Sequence, residues 1–455
     1  MFKAHNVIWD ESVYLVMGKY LLSFGKIGFW EIIRPGGLPL LLGLIWKTGL
    51  NYIFFSELLS LLFSLGNIFV VYLIGKTILN KRLGFIASFI FAITSVFFLY
   101  SNYILSGIPS TFFLMLGIYI YLKKKNFWLS GVLCGVGALF RFPQALIMLP
   151  MIFIMYNKAL KKSYKFILGF IVVHIPFFIF NYVIYRNETS KIYHALFRPW
   201  ILAFTHQFNP AESIATSTLG LYLYNIFYYL IQLFRENTLF LFIIPGLIFI
   251  FRKKLYRKEG FCLILLIFII YIVYFTIISN KQTRFLLVFL PYASIIAAYG
   301  FYHSFLFTKK DRIRIAIVLF VIISLIGVVS RDLNYYDWRL KDELPIVNDY
   351  YKFFEGHQIT GVILTTDPVP AVYTDAQFVP IYFSPDVGHT IYNSYRDEIY
   401  AVIFSPESFY CEESDKLCKS SLKNLSTIIE DDNTLVFSEI YGNRAYYIYL
   451  NNDLK

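Results

Sequence analysis

Residues 53–82 read IFFSELLSLLFSLGNIFVVYLIGKTILNKR, an apolar run that is closed by Lys76, Lys81 and Arg82. A helix that crosses a bilayer needs about 20 predominantly apolar residues. The 455-residue chain repeats this pattern, since 58% of its residues are hydrophobic and only 15% are charged. Soluble domains contain about 25% charged residues. The sequence therefore predicts an α-helical polytopic membrane protein.

The apolar runs are confined to the first 330 residues and predict about ten spans. They lie near 53–75, 84–103, 107–122, 128–140, 144–157, 166–185, 237–251, 261–279, 285–306 and 313–330. The runs at 128–140 and 144–157 are short for a span. They predict a re-entrant or broken helix pair around Arg141-Phe142-Pro143, shielded by other protein segments.

Basic residues occupy every second loop between these runs. They are Lys76, Lys81, Arg82, Lys123, Lys124, Lys125, Lys158, Lys161, Lys162, Lys165, Arg252, Lys253, Lys254, Arg257, Lys258, Lys309, Lys310, Arg312 and Arg314. By the positive-inside rule these loops are cytoplasmic. Residues 1–52, 186–236, 280–284 and the tail after 330 are then on the outer face. Because the net charge of +12 is dispersed among loops, it favours contact with anionic lipid and predicts no nucleic-acid partner.

The N-terminal region departs from this topology. An even number of spans leaves both termini outside, yet Met1 to Ile8 contains no signal peptide or anchor. The pattern predicts that a membrane helix normally preceding Asp10 is missing from this sequence. The alternative is that a short N-terminal segment translocates unaided. Residues 12–52 alternate short amphipathic stretches with breaks, which predicts helices that lie along the membrane surface.

The tail from 331 to 455 has a different composition and predicts a soluble extracytoplasmic α/β domain, because short β-type runs alternate with helical ones. Cys411 and Cys418 could form a disulfide there if the tail is external. Asn187 and Asn424 begin acceptor-type glycosylation sequons on predicted outer segments.

Asp10 and Glu11 form a carboxylate pair at the predicted outer interface. Transfer of a sugar from a lipid phosphate requires a carboxylate base, together with positive groups or a metal that stabilise the departing phosphate. Either acid could be the base, and the pair could bind a divalent cation such as Mg or Mn. The alternative is a solvated helix start, where acidic residues are favoured.

Four basic residues lie at the predicted outer interface, where a lipid phosphate would sit: Arg34, Arg141, Lys281 and Arg284. Arginine suits phosphate through its planar fork of donors. For Arg34, Lys281 and Arg284 the alternative is snorkelling to the headgroups. Two ionisable residues within spans, Glu57 and His174, could be pocket groups or packing residues.

These motifs resemble the GT-C membrane glycosyltransferases, in particular the dolichyl-phosphate-mannose protein mannosyltransferases and lipid A aminoarabinose transferases. The resemblance is carried by Asp10-Glu11 with Tyr14, Arg34-Pro35 with Pro39, Gly131 to Pro143, and Thr283-Arg284-Phe285-Leu286 to Pro291. It implies a polyprenyl-phosphate-linked sugar donor, an outward-facing site in the cell membrane, Asp10 as the base, and an external protein, lipid or glycan acceptor. The sequence departs from the family at Gly107, where many relatives carry an acidic residue.

A polytopic transporter or lipid flippase is the alternative function. It would predict paired repeats with broken helices at matching positions, and no convincing internal repeat is found. A third interpretation is a non-catalytic scaffold that displays the tail, favoured if Gly107 and the missing helix signal loss of activity.

Overall fold

The computed structural model describes residues 7–184, 192–205, 219–278, 281–308, 310–341, 349–409, 411, 415–441 and 443–452. Its helices are α1 (Trp9–Leu22), α2 (Gly37–Lys47), α3 (Tyr52–Ile78), α4 (Lys81–Ala92), α5 (Ser95–Tyr100), α6 (Gly107–Lys124), α7 (Phe127–Phe140), α8 (Met148–Val172), α9 (Ile175–Ile184), α10 (Arg198–Thr205), α11 (Leu219–Glu236), α12 (Ile243–Arg252), α13 (Glu259–Ile277), α14 (Leu286–Phe307), α15 (Asp311–Lys341), α16 (Pro370–Tyr373), α17 (Pro385–Tyr395) and α18 (Lys416–Asp432). Its strands are β1 (Val362–Thr365), β2 (Gln377–Pro380), β3 (Ile399–Phe404), β4 (Asn433–Tyr441) and β5 (Arg444–Asn451). The predicted fold class, a helical membrane bundle with a small C-terminal α/β region, is confirmed.

Five helical segments of the described chain are long and apolar enough to cross a membrane. They are Tyr52–Ile78, Ser163–Ile184, Glu259–Ile277, Thr283–Phe307 and Asp311–Asp337. A sixth span is available if Ile226–Glu236 and Thr238–Arg252, bent by 117° at the break between them, count as one. The other apolar runs form shorter or broken helices, such as α4 and α5 in place of the run at 84–103.

The chain divides into two compact units that do not follow chain order. The first, called the sheet unit, consists of Met1–Glu31, Pro39–Ser56 and Arg339–Lys455. The second, called the helical unit, consists of Ile32–Leu38 and Glu57–Trp338. The N-terminal helix α1 therefore packs with the C-terminal α/β region, although more than 300 residues separate them in sequence.

The centre of the helical unit is α14, whose residues from Leu286 to Gly300 are all buried. Glycines let neighbouring helices approach it closely. A Cβ added to Gly246 would lie 3.2 Å from the Ile296 side chain, and one added to Gly300 would lie 2.6 Å from the Gly246 nitrogen. In lipid there is no hydrophobic driving force between helices, so their association depends on close van der Waals packing. Small residues at the crossings allow this close approach.

Three of the five basic loops meet at one end of the helical unit, here called the basic end. Lys125 pairs with Glu259 across two of these loops at 2.7 Å. A Cβ added to the neighbouring Gly260 would lie 2.9 Å from Ile78, in the third loop. The far ends of α6, α7, α13 and α14 therefore lie opposite the basic loops, as the alternation of charge predicts.

The sheet unit contains a five-stranded sheet of order β2-β1-β3-β5-β4. Strands β2, β1 and β3 are parallel, and β5 and β4 form an antiparallel extension. Almost every residue of β1 and β3 is buried, on both faces of the sheet. This is typical of parallel strands that are covered on both sides. Helices α17 and α18 pack on one another, and α18 buries Leu425 and Ile429.

Helix α1 begins with acids and ends at a left-handed turn. Asp10 and Glu11 lie in its first turn and Lys19 in its last, the arrangement that the helix dipole favours. The chain then turns through Phe24 and Gly25, with φ of +56° and +86°. The Gly25 backbone nitrogen donates to the Tyr20 carbonyl at 2.9 Å, which closes the helix.

Several local expectations can be compared with the structure. The alternation of strands and helices that is predicted for the tail is found, and Cys411 and Cys418 are disulfide-bonded. The basic stretch at 158–165 is not a loop but lies within α8. Helix α15 continues past residue 330 to Lys341. The sequon at Asn187 lies outside the described residues, whereas Asn424 is exposed on α18.

Candidate functional site

The carboxylate pair lies at the start of α1 in the sheet unit, and its two members differ in environment. Asp10 is partly exposed, whereas Glu11 is fully buried. Glu11 Oε2 accepts a hydrogen bond from the Ile8 backbone nitrogen at 3.1 Å. This bond satisfies one of the N–H groups that a helix start leaves without an intrahelical acceptor. Glu11 therefore caps the start of α1.

The start of α1 lies among aromatic and acidic residues of the sheet unit that the sequence did not predict. The ring of Trp9 packs edge-on against Tyr382, with centroids 4.9 Å apart. The Tyr382 hydroxyl donates to Glu31 Oε1 at 2.9 Å, and Glu31 is itself buried. Burial, followed by the negative charge of Glu11, raises the pKa of Tyr373 to about 12. The start of α1 is thus enclosed by the C-terminal region of the sheet unit.

Arg141 follows the last residue of α7, in the helical unit at the end opposite the basic loops. Its guanidinium carbon lies 4.7 Å from the centroid of the Phe285 ring and 5.9 Å from that of Phe275. The two rings pack on each other with centroids 5.2 Å apart. A guanidinium stacked on aromatic faces keeps its charge and stays oriented. Arg141 is therefore held in place by the elements on either side of the α13–α14 turn.

Lys281 lies in that turn, on the same aromatic group. Its ammonium donates to the carbonyls of Phe275 and Thr276, at 3.0 and 2.5 Å, and lies 5.6 Å from the centroid of the Tyr229 ring. Tyr229 in turn packs against Phe275 with centroids 5.9 Å apart. Burial lowers the pKa of Lys281 to about 8. Lys281 and Arg141 thus share one aromatic group, formed by Tyr229, Phe275 and Phe285.

Arg284 belongs to the same turn, and Arg34 lies in a loop that contacts the end of α7. Arg284 precedes Phe285 in the chain, and its Nε donates to Gln282 Oε1 at 2.5 Å. At Gly37, where α2 begins three residues after Arg34, an added Cβ would lie 2.6 Å from the Leu139 carbonyl, two residues before Arg141. The structure therefore brings the four predicted phosphate-binding residues to one end of the helical unit, whereas Asp10 and Glu11 belong to the sheet unit.

Gly107 begins α6 directly beside Arg141. A Cβ added to Gly107 would lie 3.5 Å from Arg141 Nη1, an ordinary contact distance. An acidic side chain at this position would thus reach the guanidinium. Behind it, Gln144 is fully buried, and its Nε2 donates to Ser110 Oγ at 3.1 Å in the first turn of α6.

The two ionisable residues inside spans have different surroundings. His174 is buried between aromatic rings, with its centroid 4.8 Å from that of Phe170 and 5.4 Å from that of Trp200. Its Nδ1 lies 2.8 Å from the Phe170 carbonyl. These contacts make it a packing residue at the break between α8 and α9. Glu57 is buried in α3.

A metal at the carboxylate pair requires further ligands. Within the described residues, no group of three or more His, Cys, Asp or Glu side chains is arranged to hold a metal ion. Glu11 Oε2 is also occupied by the Ile8 nitrogen. The divalent cation thus stays a prediction.

A sequence comparison identifies a related family over part of the chain. Residues 39–183 match the family described as dolichyl-phosphate-mannose-protein mannosyltransferase. This segment contains Gly107 and Arg141 and ends before Lys281 and Arg284. No curated protein is similar enough in sequence to count as a match.

Two solved membrane enzymes share the fold over nearly the whole chain. The crystal structure of ArnT from Cupriavidus metallidurans, bound to undecaprenyl phosphate, matches with a TM-score of 0.64 at 10% identity, covering 98% of this chain and 94% of ArnT. The archaeal oligosaccharyltransferase AglB from Archaeoglobus fulgidus, in complex with an inhibitory peptide and a dolichol-phosphate, matches with a TM-score of 0.59 at 13% identity. That match covers 100% of this chain and 72% of AglB.

This chain resembles membrane glycosyltransferases in two ways: by sequence over residues 39–183, and by fold over nearly its whole length. Its fold matches that of the GT-C proteins ArnT and AglB, as the sequence motifs implied.

Proposed function

We propose that this protein transfers a sugar from a polyprenyl-phosphate donor to an acceptor hydroxyl on the outer face of the membrane. The acceptor would be a protein, lipid or glycan. Three observations support this proposal. They are the GT-C fold, the match of residues 39–183 to a family named for a dolichyl-phosphate-mannose donor, and the basic residues that could bind the donor phosphate.

The observation that carries the proposal is the meeting of cations on one aromatic group in the helical unit. Arg141 and Lys281 both lie on the Tyr229–Phe275–Phe285 group, and Arg284 directly precedes Phe285. They lie at the end opposite the basic loops, which the positive-inside rule assigns to the cytoplasm. A lipid phosphate reaching this end would meet charged donors and aromatic surfaces at the depth of the outer headgroups.

In the proposed reaction the acceptor oxygen attacks the anomeric carbon of the sugar. The bond from that carbon to the phosphate oxygen breaks, and its electron pair leaves with the polyprenyl phosphate. Asp10 accepts the proton of the acceptor hydroxyl, while Arg34, Arg141, Lys281 and Arg284 neutralise the charge that grows on the phosphate. Glu11 orders the start of α1 through its bond to Ile8. Stabilisation of developing charge commonly contributes more to the rate acceleration than any other single effect.

The sidedness of the sheet unit is also a proposal. The Cys411–Cys418 disulfide supports an extracytoplasmic position, because such bonds persist in oxidising compartments. The exposed Asn424 sequon is compatible with it. We retain the division into a transmembrane domain at 1–330 and an extracytoplasmic domain at 331–455 as a prediction, although α15 continues across that boundary.

The two members of the carboxylate pair provide the decisive test. We expect Asp10→Asn to lower transfer by at least about 100-fold, the range for loss of a general base. Glu11→Gln keeps an oxygen that can accept from Ile8, so we expect a loss of no more than about threefold if Glu11 only caps the helix. Membranes containing full-length protein would be supplied with radiolabelled dolichyl-phosphate mannose and undecaprenyl-phosphate sugars, and transfer to protein, lipid and glycan fractions would be counted.

The outcomes separate the alternatives. Full activity of Asp10→Asn would show that Asp10 is not the base. No transfer by the wild type from any of these donors, combined with movement of the labelled donor across the membrane, would replace the glycosyltransferase proposal with the flippase alternative.

A further inference from the structure

We infer that Lys19 is a positioning residue, through which the C-terminal α/β region holds the helix that carries Asp10 and Glu11. This rests on the proposed function, because it assigns a role to the α/β region in the same reaction. All the residues concerned belong to the sheet unit.

Lys19 is a buried cation, only 2% exposed, on the last turn of α1. Its ammonium donates to the carbonyls of Val372 at 2.6 Å and Ala371 at 3.2 Å, and pairs with Asp375 Oδ1 at 2.8 Å. A third carbonyl, that of Thr374, is 3.4 Å away. Lysine is almost never fully buried unless it is paired. Here its partners are supplied by α16 and the residues that follow it, more than 350 residues away in sequence.

The same region of the chain holds the segment after α1 by backbone bonds. The Gly28 nitrogen donates to the Ala376 carbonyl at 2.7 Å, and the Phe378 nitrogen donates to the Gly28 carbonyl at 3.1 Å. These bonds add Gly28 to the free edge of the sheet beside β2. Gly28 has a φ of +81°, and a Cβ there would lie 2.9 Å from the Val16 side chain, so glycine is required.

Two further contacts of α1 lie close to Lys19. A Cβ added to Gly18 would lie 2.8 Å from the Gly43 nitrogen, so α1 and α2 cross at a glycine pair. The Tyr52 hydroxyl donates to the Leu15 carbonyl at 2.7 Å. The α2 helix behind α1 and the α16 helix at its end therefore hold α1 around Lys19.

The distance from Lys19 to Asp10 determines how strongly the loss of Lys19 should affect the rate. Asp10 lies nine residues before Lys19, or about 13 Å at ~1.5 Å per residue. A small change in tilt at Lys19 therefore moves the Asp10 carboxylate by an ångström or more. Misplacement of a catalytic group by about 1 Å can lower the rate about 100-fold. Lys19 holds α1 by hydrogen bonds and an ion pair. Their loss would therefore change the orientation of α1 more than the packing of its apolar side chains.

The test compares Lys19→Met, Lys19→Arg and Asp375→Asn in the full-length protein, with Lys26→Met as the control. Lys26 is an exposed lysine of the same segment. With dolichyl-phosphate mannose as donor, we expect Lys19→Met to lower kcat by about 10- to 100-fold. The KM for the donor should change by less than about twofold, since the phosphate-binding residues belong to the helical unit. We expect Lys19→Arg to restore part of kcat, Asp375→Asn to lower it less, and Lys26→Met to have no effect.

Amide hydrogen exchange supplies a readout independent of activity. In Lys19→Met we expect faster exchange in α1, while exchange in β1 and β3 stays as in the wild type. Unchanged kcat in Lys19→Met would overturn the inference and leave the proposed function intact, provided that Asp10→Asn is inactive. Faster exchange throughout the sheet would also overturn it, because Lys19 would then support the fold of the whole region. A wild type without transfer activity would instead defeat the proposed function.

Discussion

The absence of a side chain at Gly107 affects the surroundings of the Arg141 guanidinium. The sequence resemblance implies an acidic residue at the position of Gly107, where this chain has no side chain beside the guanidinium of Arg141. A carboxylate at this position would compete with a donor phosphate for the same cation. Glycine supplies no such competitor at this position, while the guanidinium rests on the rings of Phe275 and Phe285.

We therefore expect Gly107→Asp to raise the KM for the donor by about tenfold, equivalent to ~1.4 kcal/mol of lost binding. The aspartate is compatible with the start of α6, because acids are favoured at helix N-termini. Gly107→Ala is the matched control, since its Cβ would make only an ordinary contact with Arg141 Nη1 at 3.5 Å. Steady-state kinetics with varied donor concentration would measure both variants. A rise in kcat for Gly107→Asp would instead show that an acid here assists the acceptor or a metal.

Lys281 predicts a dependence of activity on pH. Its pKa is lowered to about 8 by burial, so the free enzyme loses this charge as pH rises through 8. Since the charged form binds phosphate, we expect kcat/KM for the donor to fall above pH 8, because this ratio reports groups of the free enzyme. Lys281→Arg should remove the decline, because arginine stays protonated. A decline that is identical in the arginine variant would assign it to another group.

The sequence singles out candidate site residues but not the residues that they contact. Asp10, Arg141 and Arg284 stand out because a charge near an apolar run is costly without a use or a partner. Lys19 and Glu31 carried no such signal, because their partners Asp375 and Tyr382 are over 300 residues away. Only the folded chain shows that these charges are buried.

At the scale of helices and strands, the length of an apolar run predicted well that a helix is present but predicted the ends of that helix poorly. The run at 84–103 is divided into α4 and α5, and the basic stretch at 158–165 continues α8 instead of ending it. Charge marks the sidedness of a segment, but a helix continues wherever backbone hydrogen bonds and packing sustain it. The strands of the tail were predicted because β-branched and aromatic runs alternate there with turns.

The end of β1 supplies a prediction about the stability of the sheet unit. Asp367 is buried after this strand, and its Oδ1 accepts from the Val369 nitrogen at 2.9 Å. Burial raises its pKa from 3.8 to about 6, against a smaller opposing effect of Arg444. A raised folded-state pKa stabilises the folded state at low pH, and this contribution is lost as pH rises from about 4 through 6. The shift corresponds to about 3 kcal/mol at pH 7.

We expect Asp367→Asn to remove this dependence, because asparagine keeps the oxygen that accepts from Val369 and does not ionise. The free energy of opening, measured by hydrogen exchange at β1 and β3 amides, should then vary less between pH 5 and pH 7.5 than in the wild type. An unchanged dependence in the variant would show that another group of the sheet unit carries it.

For the molecule as a whole, the sequence predicted the classes of structure but not how the chain is divided among them. A linear interpretation separates a membrane part from a C-terminal tail at residue 330. The structure instead groups Met1–Glu31 and Pro39–Ser56 with Arg339–Lys455. Hydrophobic pattern could not show this, because the grouping depends on a buried lysine, two backbone bonds and a glycine crossing.

The contact of Gly28 with the edge of β2 has a consequence for biosynthesis. A ribosome delivers α1 well before the C-terminal region, and the segments of the helical unit can enter the bilayer as they emerge. The partners of Lys19 and Gly28 are synthesised only when the chain passes residue 378. Until then, α1 lacks the contacts that hold it in the sheet unit. The sheet unit therefore completes its folding only when translation has reached the C-terminal region, long after α1 has emerged.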